Sequence, residues 1–109
     1  MAHTEVIEEG GVKTIRKYFK ECQLFQYQRF ENGKLHSING KPSNVKYYSN
    51  DNLKLEEWHN NGILHRENDY SNASYYENGQ LHIKEWRNTG KVIKREEFRK
   101  DGERGRLNI

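Results

Sequence analysis

Apolar residues recur along this chain in short alternating runs, each closed by Asn and Gly. Leu53 alternates with Leu55, and Leu81 with Ile83. Alternation with period two marks strands with one covered face. Asn-Gly between such runs predicts a hairpin, because both central residues of a type I′ turn take positive φ. Turns are predicted at Asn32-Gly33, Asn39-Gly40, Asn50 to Asn52, Asn60 to Gly62, Asn78-Gly79, Asn88 to Gly90 and Asp101-Gly102. Most gaps between them have room for short strands only. A helix would need a sustained helical period, which the frequent Asn and Gly interrupt. Pro42 follows Gly40-Lys41, in a connection rather than inside a strand.

The pattern repeats. Asn-Gly-x-Leu-His occurs at Asn32 to His36, Asn61 to His65 and Asn78 to His82. An aromatic residue precedes each string: Phe30, Trp58 and Tyr76. Phe30, Trp58 and Trp86 stand 28 residues apart, as do Tyr48 and Tyr76. Ser43-Asn44 matches Ser71-Asn72, and Leu53-x-Leu55-x-Glu57-Trp58 matches Leu81-x-Ile83-x-Glu85-Trp86. A one-residue slip separates the Gly33 and Gly62 copies. Gly11 to Phe19 and Gly90 to Phe98 read as degenerate terminal copies, the usual form of array ends. The expectation is an all-β fold: consecutive antiparallel β-hairpins stacked into one elongated, twisted single sheet. The repeat domain spans 11–104, between a flexible acidic segment, 1–10, and a tail, 105–109. Strand edges are expected at Val12 to Phe19 and at the charged run Glu96 to Arg106.

Composition agrees with a thin structure. Val, Ile, Leu and Phe total 22 of 109 residues, and mean hydropathy is −1.24. That excludes a membrane-spanning apolar stretch and disfavours a thick-cored enzyme. Disorder also needs high net charge, which is missing: 19 Lys and Arg balance 16 Asp and Glu. The 12% aromatic share supplies large rings that cover area in a thin core. Twelve Asn and nine Gly lower the hydropathy because they build turns.

The repeated aromatic-x-Asn-Gly-x-Leu-His, followed by a polar connection and Tyr-Tyr, resembles the MORN repeat superfamily. It is most similar to the variant MORN-like arrays of giant DNA viruses. Asn32 to Ser37, Gly40 to Ser43 and Tyr47 carry the first copy; Asn61 to Arg66, Tyr70-Ser71 and Tyr75 carry the second. The second copy lacks the Pro, and the usual glycine spacing of MORN repeats is not kept. The resemblance covers about residues 27–104. It implies a hairpin array acting as a scaffold, a dimerising rod or a lipid-headgroup binder, and carries over no single activity.

Catalytic chemistry finds no motif: no nucleophile elbow, phosphate loop, zinc-protease signature or Cys pair. Cys22, the lone cysteine, reads as a turn thiol, and no intrachain disulfide is possible. Glu56-Glu57 and Glu96-Glu97 are adjacent in strands, so each pair points to opposite faces. His36, His65 and His82 share a repeat position, which suggests packing or cross-strand hydrogen bonds rather than a metal ladder. No cofactor, metal site or small-molecule substrate is implied. The N-x-S sequon at Asn72 lacks a secretion signal beside it.

The remaining candidate is a surface. Phe30, Tyr48, Trp58, Tyr76, Trp86 and Phe98 form an aromatic row that is either core or ligand face. The candidate binding residues are Trp58, Trp86, Lys84, Arg87, Lys94 and Arg95, where rings and cations interleave. Lys84 to Arg106 holds nine basic and five acidic residues, so binding of anionic lipid or nucleic acid there would be weak and salt-sensitive. The leading expectation is a non-enzymatic scaffold with a protein partner or a second copy, cytoplasmic or virion-associated, neither secreted nor transmembrane.

Overall fold

The computed structural model describes residues 3–20, 23–100 and 104–108; Cys22 and the Asp101-Gly102 turn lie outside the described residues. The described residues form twelve strands and no helix: β1 (His3–Glu9), β2 (Val12–Lys20), β3 (Gln23–Glu31), β4 (Lys34–Leu35), β5 (Asn44–Tyr47), β6 (Leu53–Glu57), β7 (His59–Asn60), β8 (Ile63–Leu64), β9 (Asn72–Tyr75), β10 (Leu81–Asn88), β11 (Lys91–Phe98) and β12 (Arg104–Asn108). The main sheet is antiparallel and open, in the order β1-β2-β3-β5-β6-β9-β10-β11-β12, with β4 paired to the end of β3. The hairpin β7-β8 forms a small second sheet rather than part of a single one. The array is an all-β twisted slab of 42 × 32 × 17 Å. No helix among the described residues is long and apolar enough to cross a membrane.

Turn chemistry sets this architecture. Asn32-Gly33, Asn61-Gly62 and Thr89-Gly90 all have positive φ at both residues, as a type I′ turn demands. Asn32-Gly33 and Thr89-Gly90 close the long strands β3 and β10, and Asn61-Gly62 closes the short hairpin β7-β8. After β4 the chain leaves the sheet at 36–43 and returns as β5. After β8 it leaves at 65–71 and returns as β9. The third copy makes no excursion, and β11 runs straight through. The first excursion is one residue longer than the second, which accounts for the slip in the sequence period.

Hydrogen bonds define the equivalent positions. Ser43 N donates to Glu57 O, and Ser71 N to Glu85 O, both at 2.8 Å. Arg29 N donates to Ser43 O, and Trp58 N to Ser71 O, again at 2.8 Å. Arg29 therefore holds the place of Trp58, and Phe30 corresponds to His59. This corrects the 28-residue alignment of Phe30 with Trp58: the extra excursion residue lies downstream of both Arg29 and Phe30. The third Asn-Gly string is also displaced. Asn78 lacks positive φ, and Asn78-Gly79 precedes β10 instead of closing a long strand. Its counterpart is Asn50 to Asn52: Tyr48 N donates to Asn52 O at 2.8 Å, and Tyr76 N to Gln80 O at 2.9 Å.

The core is thin. Val45, Trp58 and Ala73 are its buried apolar side chains, joined by the buried polar residues Ser43, Asn44, His59, Ser71 and Glu96. The sheet edges also differ from expectation. Val12 to Phe19 is an interior strand, because β1, from the acidic N-terminal segment, pairs along it from His3↔Tyr18 to Glu9↔Val12. All seven β1 residues are exposed on the sheet's rim, so burial leaves no alternating pattern to read there. At the other end β12 pairs with β11, with the backbone of Phe98 in register with that of Arg104.

Candidate interaction surface

Strand pairing sorts the candidate residues onto two faces. Trp86 lies opposite Lys94, and Lys84 opposite Glu96, on one face. Glu85 lies opposite Arg95 on the other. The first face carries a row of rings and cations. Tyr70 meets Trp58 edge-on at 5.3 Å and Trp86 at 6.2 Å. The Arg66 guanidinium sits 4.0 Å from the Trp58 ring. Lys84 Nζ lies 5.1 Å from Tyr70, and Lys94 Nζ 4.6 Å from Trp86. Trp58 is 4% exposed and donates through Nε1 to Gly40 O at 2.9 Å. It is core, closed over by the first excursion. Trp86 is half-buried beneath Lys94.

Tyr70 and Arg66 complete this row, and the sequence reading did not single them out. Both lie on the second excursion. The available signal was position: Tyr70 precedes Ser71 as Pro42 precedes Ser43. A ring fills the site in one copy and a proline in the other, so the equivalence is one of place and not of chemistry.

The opposite face is a hydrogen-bonded ladder. Asn44 Nδ2 donates to Glu57 Oε1 at 2.8 Å, and Asn72 Nδ2 to Glu85 Oε1 at 2.9 Å. Arg87 bonds the same Glu85 oxygen at 2.8 Å, and Arg95 Nε lies 3.3 Å from the other oxygen. Arg95 also pairs with Glu97 at 3.2 Å. Arg87 and Arg95 are thus tied to carboxylates, away from the Trp58–Trp86 row. Burial pushes the Glu85 carboxyl up, but hydrogen bonds from Asn72 and Arg87 and the charges of Arg87 and Arg95 outweigh it and hold the group below its usual range. The amide of the Asn72 sequon is engaged within this sheet.

Adjacent carboxylates diverge as expected of a strand. Glu56 accepts from Tyr75 Oη at 2.8 Å, while Glu57 accepts from Asn44. Burial, then the hydrogen bond to Glu56, pushes the Tyr75 phenol far up.

The histidines do not share one position. His36 Nδ1 accepts from Asn61 N, and His65 Nδ1 from Thr89 N, each at 3.2 Å. Each therefore braces the turn of the following copy. His82, in the displaced string, stacks on Tyr76 at 4.3 Å. His59 is buried; burial lowers its pKa against the opposing charge of Glu57. Its Nδ1 lies 2.7 Å from Ser43 Oγ, and Nε2 lies 4.0 Å from Glu57. The Ser-His-Glu trio has the composition of a hydrolytic triad. Ser43, however, is 0% exposed, and its hydroxyl also bonds Glu57 O at 3.2 Å. No substrate carbonyl can reach that oxygen, so the trio is a packing network.

A more open feature lies beside the first excursion. A cavity of about 430 Å³ is lined by Arg16, Tyr27, Arg29, Ile38, Lys41 and Val45 among others. Arg29 is engaged by Glu31 at 3.3 Å and by His36 O at 2.9 Å. The Arg16 guanidinium lies 5.3 Å from the Tyr27 ring. Such a site can hold an anion against an apolar wall.

No family model, curated protein or solved structure matches the chain.

Proposed function

We propose that this chain is a non-enzymatic repeat scaffold of the variant MORN kind, which associates with a second copy or another protein through its sheet edge. The observation that supports this is β1. It ends an open sheet with all seven residues exposed, and Val6 and Ile7 are 54% and 51% exposed. An uncovered edge strand presents unpaired N–H and C=O groups to any extended partner. The repeated clasps behind it, Tyr48 Oη to Tyr75 O at 2.7 Å and Tyr76 Oη to Phe98 O at 2.9 Å, hold the hairpins in one plane. The test is light scattering on a size-exclusion column over a range of concentrations. Mass is expected to rise above 13.1 kDa and to return to monomer with Ile7→Pro. A strict monomer that also captures no protein partner would count decisively against the reading.

The second reading is an anionic-ligand binder, through the basic C-terminal hairpins or through the cavity, and the cavity has an observation in its favour. Arg87 and Arg95 are paired with Glu85 and Glu97, whereas Arg16 and Lys41, like Lys84 and Lys94 of the C-terminal hairpins, have no ion pair among the described residues, and Arg16 and Lys41 line a cavity. Titration with inositol phosphate and with an oligonucleotide at low salt would test it. Saturable binding should fall at least about fivefold in the Arg16→Gln, Lys41→Gln double variant. Binding insensitive to that change would discard the cavity.

A further inference from the structure

We infer that Asn32 and Asn39 are sites of spontaneous isoaspartate formation, and that backbone hydrogen bonds from the following glycine nitrogen protect Asn61 and Asn78 from the same reaction. The chain has four Asn-Gly pairs, at 32–33, 39–40, 61–62 and 78–79. All four asparagines are exposed. The nucleophile in this chemistry is the backbone nitrogen of the following glycine. It gives its proton to solvent base and attacks Asn Cγ. The N–Cγ bond forms, the Cγ–Nδ2 bond breaks, and ammonia leaves after taking up a proton. Water then opens the cyclic imide at either carbonyl, giving aspartate or isoaspartate. A glycine N–H already donating to a carbonyl must lose that bond before it can react.

The four glycine nitrogens differ in this respect. Gly62 N donates to Leu35 O at 2.8 Å, a bond supplied by the preceding copy. Gly79 N donates to Tyr76 O at 2.9 Å. The Asn78 carboxamide is also held: Nδ2 donates to Lys100 O at 3.1 Å, and Oδ1 accepts from Gln80 N at 2.9 Å. Gly33 belongs to the first I′ turn of the alignment. There the preceding hairpin offers Gly11 O, which is taken by Asn32 N at 2.9 Å. Gly33 N has no partner among the described residues, and neither has Gly40 N. Gly40 contributes only its carbonyl, to Trp58 Nε1. Protection of the Asn61 turn thus follows the array, an earlier copy supplying a leucine carbonyl as it also does for Gly90 N on Leu64 O at 2.9 Å, whereas the Asn78 turn is shielded by its own Tyr76 carbonyl.

The products have consequences for the two surfaces described above. Asn39 lines the cation cavity, so conversion adds a carboxylate beside Lys41. Asn32 N holds the β1-β2 turn, so an inserted backbone methylene shifts the register behind the free edge.

The test is incubation of the full chain at mildly alkaline pH, followed by proteolysis and mass spectrometry of the four peptides. One intramolecular hydrogen bond corresponds to about a fivefold rate difference. Asn32 and Asn39 are therefore expected to convert about fivefold faster than Asn61 and Asn78. In concentrated urea the four rates should converge, which assigns the difference to the fold. Conversion of Asn61 or Asn78 at a rate equal to that of Asn32 in the folded chain would overturn the inference. So would a ranking that persists unchanged in urea.

Discussion

Replacing Trp58 with Ala is expected to lower the unfolding free energy by about 3–5 kcal/mol. A chain of this size has roughly 5–15 kcal/mol in total, so the variant should stand at the margin of folding. The magnitude follows from how few buried apolar groups there are. Among the described residues Trp58 is the one large ring of the three buried hydrophobic side chains, and it closes the first excursion through Nε1 and Gly40 O. Arg66 stacks on one side of it, and Tyr70 meets it edge-on. Removing it orphans the Gly40 carbonyl and strips Arg66 and Tyr70 of their shared ring contact. Trp58→Phe keeps the ring contacts and loses the hydrogen bond, so about 1–2 kcal/mol is expected. Urea denaturation reads both as shifts in midpoint. A loss below about 1 kcal/mol for Trp58→Ala would mean that the ring is not core.

Glu85→Ala is expected to cost about 2 kcal/mol, below the figure for a fully buried pair because Arg95 is about a third exposed. One carboxylate here accepts hydrogen bonds from Asn72 and Arg87 and forms an ion pair with Arg95, whose buried Nε lies 3.3 Å away without a hydrogen bond. The equivalent Glu57 meets Asn44 and a buried His59 and no arginine, so Glu57→Ala should cost less. The effect depends on pH with a definite sign. The Glu85 carboxyl is held below its ordinary 4.5 in the folded chain. Its stabilisation is therefore complete above 4.5 and is lost as pH falls through the depressed folded value. Denaturation curves of Glu85→Ala and wild type should converge in acid. Curves that stay parallel down to acid unfolding would contradict the ion network.

The two substitutions mark where sequence reasoning succeeded and where it stopped. Turn positions were legible because positive φ is a local demand that Asn and Gly meet at low cost. Asn32-Gly33 and Asn61-Gly62 are I′ turns, and Asn88 to Gly90 contains the third. The Ser-Asn and Glu-Trp matches were legible because equivalent hydrogen bonds need equivalent residues. Phe30 was misaligned because similarity of residue type outweighed a one-residue insertion in an excursion. A single-residue shift in a strand turns a side chain to the other face.

The candidate surface divided for the same reason. Lys84, Trp86 and Lys94 were read together with Arg87 and Arg95 because they are neighbours in sequence. Register places Glu85 against Arg95 and Trp86 against Lys94, so the cations fall on two faces with different partners. Tyr70 and Arg66 were legible as parts of a repeat copy, but their place in the row and the cation cavity were not, because they arise from chain that leaves the sheet and folds back over it. No local periodicity encodes such a return.

By itself the sequence determined the hairpin array and most of the turns that close it. These are consequences of backbone conformation and alternation, which act over a few residues. Tertiary structure alone decided which face each side chain occupies, that β1 rather than β2 forms the edge, and which cations remain unpaired. Those outcomes depend on pairing between strands distant in sequence, where a single residue inserted in an excursion changes what meets what.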